Sequence, residues 1–386
     1  QDIWAQAFHL LLSMAVSLEV LLLSGAAVSL KVEPEIRLAH LFLQAEASLG
    51  VRLCALVLPE GRVVKAPCLV PPADGEGTIN GLEDGMQLTA VAMPPGPRVW
   101  ANRNAFALEL NSGRVVTWGG PAYGGNSDAV RDKLASGIQD IVGNHSAFAA
   151  LKDAGSVVTW GADSSGGDSS AVREQLAHGV KSITSTDDAF AALRDNGEIV
   201  TWGHPRQGGD SAEVQARLGN DTQCIFASSK AFAALKSEGS VVTWGEPAFG
   251  GDSTSVISRL AGGVATITTS GSAFAALCEN GSVVSWGADT AGTADGILEQ
   301  LADNVESITS SHGAFAALKQ SGSIVAWGKP SLGGDCSAVQ QHLLEGVRKV
   351  VASRSAFAAL KLDGSVVAWG DREGGGDSRA KQALLN

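Results

Sequence analysis

The chain has 386 residues, which is longer than one typical domain and predicts about two. Its content of 45% hydrophobic and 18% charged residues is enough to bury a core, so wholesale disorder is excluded. The 47 glycines follow no Gly-X-Y period and indicate tight turns rather than collagen. The formal net charge of −12 disfavours a nucleic-acid-binding surface.

The N-terminal segment is apolar over residues 8–30, a length that suggests a membrane span or a signal peptide. However, Glu19 lies in the middle of this run, His9 interrupts it, and no basic residue precedes it. We therefore expect neither a span nor a signal. Residues 1–13 stand before the first predicted strand and are expected to be a loosely attached extension.

Residues 14–97 carry no repeat and predict a small α+β domain. The predicted elements, in chain order, are strands 17–23 and 27–32, helix 35–49, strand 51–58, loop 64–78 and strand 86–92. This is the β-grasp order. Segment 30–34, Leu-Lys-Val-Glu-Pro, and segment 81–91, Gly-Leu-Glu-Asp-Gly-Met-Gln-Leu-Thr-Ala-Val, resemble ubiquitin-like domains. A generic α+β domain is the alternative.

The end of this domain distinguishes two roles that the resemblance implies. Residues 93–97 read Met-Pro-Pro-Gly-Pro rather than Gly-Gly. The resemblance therefore implies a built-in docking domain and not a conjugated modifier.

The remaining chain is a sevenfold repeat. The phrase Ala-Phe-Ala-Ala-Leu recurs with small changes, and Trp-Gly follows its Phe by twelve residues each time; the spacing between units is 41 or 42 residues. We predict one structural role for each repeated aromatic residue. The phenylalanines are Phe106, Phe148, Phe190, Phe232, Phe274, Phe315 and Phe357, and the tryptophans are Trp118, Trp160, Trp202, Trp244, Trp286, Trp327 and Trp369.

One unit predicts three strands and a short helix. Strands over 179–185, 189–193 and 198–202 are followed by a two-turn helix over 212–218, with Asp210 or Ser211 as its N-cap. A unit of this length, with antiparallel strands, indicates a propeller blade. The fold class is therefore mainly β, a seven-bladed propeller over 98–386 preceded by the α+β domain.

Counting strands predicts how the ring closes. The last unit ends after its helix with no following strand, and strand 98–104 precedes the first unit. Seven strands of each kind and seven helices are then present. We expect strand 98–104 to close the ring at the two termini, which removes exposed sheet edges and predicts a monomer.

The repeat resembles that of the regulator-of-chromosome-condensation propellers, the related β-lactamase-inhibitor propeller and the propellers of HERC-type ubiquitin ligases. The pattern that carries the resemblance is Leu-x-x-x-Gly-x-Val-x-x-Trp-Gly, over about residues 98–386. Units of the chromatin protein usually contain a Gly-Gln-Leu-Gly turn, whereas this chain has Gly-Gly-Asp-Ser and a helix there. The shorter unit is nearer to the inhibitor-type propeller.

No pattern of catalytic residues is found. The seven histidines and five cysteines show no metal-ligand spacing, and no nucleotide-binding or nucleophile motif is present. We expect no enzyme activity, no cofactor and no metal. The unpaired cysteines favour an intracellular location, cytoplasmic or nuclear.

Two polar positions recur in the repeat. The first is acidic in five units and fits either helix capping, which we favour, or a calcium ring; its members are Asn126, Asp168, Asp210, Asp252, Thr293, Asp335 and Asp377. The second is basic and is expected to be a solvated turn position; its members are Lys152, Arg194, Lys236, Lys319 and Lys361.

The loops that vary between units predict the binding site. The loop before Ala-Phe and the loop after Trp-Gly emerge on the same face if the strands alternate in direction. Candidate binding residues on this face are Tyr123, His145, Asp187, Asp188, Arg206, Lys230, Phe249, His312, Lys329, Arg354 and Arg372.

These features predict a non-enzymatic protein-interaction scaffold or adaptor, linked through the resemblance to the ubiquitin pathway. The expected partner is a protein, and neither nucleic acid nor membrane is expected. One alternative is a guanine-nucleotide exchange regulator of a small GTPase, although the uniform spacing leaves no room for a projecting insertion. A ligand-binding or enzyme-inhibiting propeller is the other.

Overall fold

The computed structural model describes residues 16–22, 27–32, 53–57, 63–65, 86–92, 97–288 and 295–377. The chain divides into two compact units, residues 1–98 and residues 99–386. The predicted extension 1–13 and helix 35–49 lie outside the described residues. No helix among the described residues is long and apolar enough to cross a membrane.

The N-terminal unit contains a mixed five-stranded sheet. Its strands are β1 (Val16–Leu22), β2 (Ala27–Val32), β3 (Leu53–Val57), β4 (Val63–Lys65) and β5 (Met86–Ala92). Their order in the sheet is β2-β1-β5-β3-β4, with β1 and β5 parallel and the other pairs antiparallel. Strands β1 and β2 account for much of the apolar N-terminal run. Strand β4 includes residues 64 and 65, the start of the predicted loop 64–78, so the predicted start of that loop is wrong.

The second unit is a seven-bladed β-propeller, and each blade is a three-stranded antiparallel sheet. Blades 1 to 4 are β6 (Arg98–Ala101), β7 (Ala105–Glu109), β8 (Val115–Gly119); β9 (Ile138–Gly143), β10 (Ala147–Lys152), β11 (Val157–Gly161); β12 (Val180–Ser185), β13 (Ala189–Arg194), β14 (Ile199–Gly203); β15 (Thr222–Ala227), β16 (Ala231–Lys236), β17 (Val241–Gly245). Blades 5 to 7 are β18 (Val264–Thr269), β19 (Ala273–Cys278), β20 (Val283–Gly287); β21 (Val305–Ser310), β22 (Ala314–Lys319), β23 (Ile324–Gly328); β24 (Val347–Ala352), β25 (Ala356–Lys361), β26 (Val366–Gly370).

The predicted helix after the third strand is shorter than expected in blades 1 to 6, and that of blade 7 lies outside the described residues. Its place is taken mostly by 3₁₀ turns, which are Asp128–Val130, Ser170–Val172, Ala212–Val214, Thr254–Leu260 and Ser337–His342. Short α-helices are α1 (Gln215–Leu218) and α2 (Asp295–Gln300). A second turn comes directly after the third strand, at Pro121–Tyr123, Asp163–Ser165, Pro205–Gln207, Pro247–Phe249, Pro330–Leu332 and Arg372–Gly376. Seven residues are too few to propagate a stable α-helix, so tighter turns replace it.

The two recurrent polar positions hold these turns in place. The Asp210 carboxylate accepts the backbone N–H of Ala212 at 2.9 Å, and Asp168, Asp252, Asp335 and Asn126 make the equivalent bond. The basic position is not a solvated one, which corrects that expectation. The Lys236 ammonium donates to the Arg217 carbonyl oxygen at 3.1 Å and pairs with Asp221, and its side chain is only 16% exposed.

Consecutive blades bury a separate core between them. Side chains alternate between the two faces of β10, so Ala147 and Leu151 point towards blade 3. There they pack in one core with Phe190 and Trp202. The described residues form six such cores, one for each consecutive pair of blades. A single blade therefore has no complete core of its own.

The repeated aromatic residues form a stacked pair in every blade. Ring centroids of each Phe and its Trp are 5.1–5.3 Å apart. The Trp also reaches into the preceding blade: the indole N–H of Trp202 donates to the Gly166 carbonyl oxygen at 3.0 Å. Trp160, Trp244, Trp286 and Trp369 make the same bond at 2.9–3.0 Å.

Blade 1 differs from this pattern. Its Phe106 and Trp118 are 44% and 47% exposed, whereas in the stacked pairs of the other six blades each Phe is at most 1% and each Trp at most 5% exposed. Blade 7 thus leaves this face of blade 1 uncovered. Strand β6 pairs with β7, the strand that directly follows it. Strand 98–104, the predicted closing strand, is thus the first strand of blade 1, and each described blade is one continuous stretch of chain.

Candidate binding site at the propeller axis

The first strand of each blade lines the axis. Side chains of these strands bond to the first strand of a neighbouring blade: Ser310 Oγ donates to the Thr269 carbonyl oxygen at 2.7 Å, and Ser185 Oγ to that of Gly143 at 3.4 Å. The loop that joins the first strand to the second therefore emerges at the axial mouth. This loop holds three successive residues with different roles.

The first loop residue is structural. Asn144 accepts the backbone N–H of Ala147 at 2.8 Å and donates to the Ser165 carbonyl oxygen at 2.7 Å, which ties the loop to the turn after the third strand. Ser228 and Ser311 make the same two bonds with a hydroxyl group. A small polar residue suffices here, because only one oxygen has to bridge these two backbone groups.

The second loop residue is the tip of the loop. Its backbone N–H donates to the tip carbonyl oxygen of the next blade, from His145 to Asp187 and onwards to Arg354, over five bonds of 2.7–3.0 Å. These bonds use the main chain only, so the side chains are left to vary. The tip residues are Arg103, His145, Asp187, Ser229, Gly271, His312 and Arg354.

The tips surround one cavity of about 770 Å³, and all seven blades contribute to its lining. Four predicted binding residues line it: His145, Asp187, His312 and Arg354. Arg103 and Ser229 also line it but are absent from the predicted set. The signal that finds them is the position itself, since they stand at the same place in the repeat as the other four.

The charge of this mouth is basic on balance, although the whole chain is acidic. Arg103 and Arg354 are exposed, and the structure assigns their side chains no acidic partner among the described residues. His145 Nε2 lies 3.2 Å from Asp187 Oδ1. Burial raises the pKa of Asp187 above its ordinary value, while the neighbouring His145 acts to lower it.

The other predicted residues lie outside this cavity. The turns after the third strands contain Tyr123, Arg206, Phe249 and Arg372. Lys329 directly precedes another of these turns. Asp188 accepts hydrogen bonds from Ser165 and Gln207 at 2.8 and 3.0 Å and is thus a linker between loops. The Lys230 ammonium lies 4.8 Å from the centre of the Phe249 ring, a cation–π contact.

The variable-loop residues therefore fall into two groups. The tip residues converge on the axis, and the turn residues are distributed on the blades around them. Among the described residues, no group of three or more His, Cys, Asp or Glu could hold a metal ion.

No protein-family model matches the chain, and no curated protein matches its sequence. The ectodomain of receptor kinase CR4 from Physcomitrella patens is 16% identical, with 72% of this chain and 73% of that chain covered and a TM-score of 0.36. Yeast RCC1 (Prp20), solved with Kap60, is 19% identical, with 63% and 72% covered and a TM-score of 0.36. The CRINKLY WD40 ectodomain of Arabidopsis thaliana ACR4 is 16% identical, with 71% and 94% covered and a TM-score of 0.37. The propeller assignment rests on the seven sheets of this chain itself.

Proposed function

We propose that this chain is a non-enzymatic scaffold whose propeller binds an acidic segment of a partner protein at the axial mouth. One observation carries the proposal: a ladder of main-chain hydrogen bonds joins six of the seven loop tips, from His145 to Arg354, while the tip side chains vary. A fixed frame with divergent side chains at one place is typical of a recognition surface.

The chemistry of the mouth supports an acidic partner. Arg103 and Arg354 place two permanent positive charges there, with His145 and His312 beside them and Asp187 as the single acid of the lining. Guanidinium groups form bidentate hydrogen bonds with carboxylates, which makes them suited to Asp and Glu side chains. Ser229 adds a neutral hydroxyl group.

The test is binding of a fluorescent oligoglutamate peptide, followed by anisotropy, to the wild type and to the variant His145→Ala, His312→Ala, Arg354→Ala. We expect the triple variant to lose at least about tenfold in affinity, which is ~1.4 kcal/mol. Added salt should weaken wild-type binding, because the contacts are charged.

A matched control removes the same residue types elsewhere: His178→Ala, His342→Ala and Arg173→Ala, all exposed and outside the axial cavity. It should bind like the wild type. Equal loss in both variants, or wild-type binding of oligolysine as tight as that of oligoglutamate, would contradict the proposal.

For the N-terminal unit we propose a ubiquitin-like docking domain that links the scaffold to the ubiquitin pathway. The sheet order β2-β1-β5-β3-β4, with its parallel first and last strands, supports this proposal. The full chain should then bind ubiquitin-receptor domains, and free ubiquitin should compete. Absence of competition at saturating ubiquitin would separate this unit from the pathway without affecting the proposal for the axial mouth.

The described cysteines Cys224, Cys278 and Cys336 are free thiols, which is in keeping with an intracellular location. The same chain assayed for nucleotide exchange on small GTPases would test the alternative role of an exchange regulator.

A further inference from the structure

The propeller has two unmatched blade faces. On blade 1, Phe106, Val116 and Trp118 are 44%, 39% and 47% exposed. In every later blade, the equivalent Phe, Val and Trp side chains pack against the blade before it. The indole N–H of Trp118 has no acceptor among the described residues, whereas that of Trp202 has the Gly166 carbonyl oxygen.

Blade 7 presents the complementary face. Ala358 and Leu360 are only half-buried, whereas the equivalent Ala149 and Leu151 of blade 2 are buried under blade 3. Gly375 has the same left-handed conformation as Gly208, with φ of 103° and 97°. A Cβ at Gly208 would lie 2.4 Å from the Phe232 ring of the next blade, whereas nothing lies within 4 Å of that point at Gly375.

The six interfaces between consecutive blades show which surface can pack against each of these two exposed faces. At each of them the Phe and Trp of the later blade pack against the alanines of the blade before it, as Phe190 and Trp202 do against Ala147 and Ala149. A further blade can dock on each end by repeating this interface unchanged.

We propose that the blade 1 face, made by Phe106, Val116 and Trp118, docks onto the blade 7 face, made by Ala358, Leu360 and the Gly375 carbonyl, of a second copy of this chain. The contact repeats the internal Phe–Trp interface, with Trp118 donating to Gly375. The two surfaces differ, so the interface is heterologous, and association continues head to tail beyond the dimer. This inference replaces the expected monomer and does not depend on the function proposed for the axial mouth.

Sedimentation velocity of the full chain tests it. The wild type should show species larger than a dimer that grow with concentration. Trp118→Arg and Ala358→Arg should each be monomeric, because each has only one intact face. An equimolar mixture of the two variants should give a dimer and nothing larger, since one good face remains on each partner.

Several outcomes would overturn the proposal. They are a wild type that stays monomeric at all concentrations, a mixture that stays monomeric, and single variants that associate like the wild type. Circular dichroism melts confirm that the variants are folded. If either fails to fold, Val116→Arg and Leu360→Arg replace them on the same two faces. The triple variant at the axial mouth should associate as the wild type does, which keeps the two proposals separable.

Discussion

The same aromatic pair has opposite environments in blades 1 and 3. Phe190 and Trp202 are buried, and Phe106 and Trp118 are nearly half exposed, although both pairs stack at 5.3 Å. The blade's own sheet therefore supplies the stacking, and the preceding blade supplies the burial. Stability in this propeller belongs to pairs of blades, as expected when each repeat contacts only its neighbours.

The largest expected effect on stability comes from truncating the buried tryptophan of blade 3, Trp202. Trp202→Ala should cost about 3–5 kcal/mol of unfolding free energy, because it leaves a cavity between blades 2 and 3. Trp118→Ala should cost under about 1.5 kcal/mol, since less of its surface is buried. Urea unfolding at low protein concentration measures both. Equal costs would show that the pair is stabilised within its own blade.

A second substitution tests the close approach of blades. Gly208→Ala should cost about 2–4 kcal/mol, because the residue has a positive φ and its Cβ would overlap the Phe232 ring. Gly375→Ala is the control: its φ is also positive, but its Cβ meets nothing within 4 Å. The control should therefore cost only the backbone strain, about 1–2 kcal/mol. Thermal melts at low protein concentration, where copies are not associated, that rank the two in the opposite order would contradict this explanation.

A third comparison concerns buried hydroxyl groups. Thr243 Oγ1 donates to Ser253 Oγ at 2.9 Å in blade 4, whereas blade 6 has Ala326 and Cys336 at these two places. Thr243→Ala alone should cost about 1–3 kcal/mol, because it leaves the buried Ser253 hydroxyl without this partner. Adding Ser253→Cys reproduces the blade 6 pair and should recover much of the loss. A double variant no more stable than the single one would show that the two positions are independent.

The smallest effect is expected at the turn cap. Asp252→Ala should cost about 1 kcal/mol at neutral pH. The hydrogen bonds from the Thr254 hydroxyl and backbone N–H hold the pKa of Asp252 below its ordinary value. A depressed folded-state pKa means that this stabilisation is present above the unfolded-state pKa and is lost as the pH falls through the folded-state value. The difference between variant and wild type should therefore shrink as the pH falls below the ordinary aspartate pKa of about 3.9; a constant difference would exclude the carboxylate as its source.

The strands could be predicted from the sequence because each carries its own local signal. The predicted strand 189–193 is observed at Ala189–Arg194, since alternating small and aromatic residues fit both faces of a middle strand. The helices were less predictable. Asp210 marks the start of the turn, but the length of the helical segment depends on packing between blades. Likewise, counting seven units identifies seven blades and does not fix the angle between them.

The binding residues illustrate a different limit. His145, Asp187, His312 and Arg354 belong to variable loops, and variation alone selected them together with Tyr123 and Arg206, which lie elsewhere. The sequence does not tell which of three adjacent loop residues faces the axis. The hydrogen bonds of the first loop residue and the ladder through the loop tips decide it. The former reach a turn 21 residues away, and the latter joins residues 41 or 42 positions apart.

The equivalence of the six interfaces has a genetic consequence. In each interface, the Ala and Leu side of one blade packs against the Phe and Trp side of the next. Loss or duplication of one complete 42-residue unit therefore brings two matching sides together again. Recombination between misaligned repeats can thus change the number of blades in a single event without new compensating substitutions. Recombination that removes only part of a unit can instead separate a Phe from its Trp, and the blades on either side then lose the surface against which they pack. Selection on such a gene therefore preserves the length of the unit more strictly than the number of its copies.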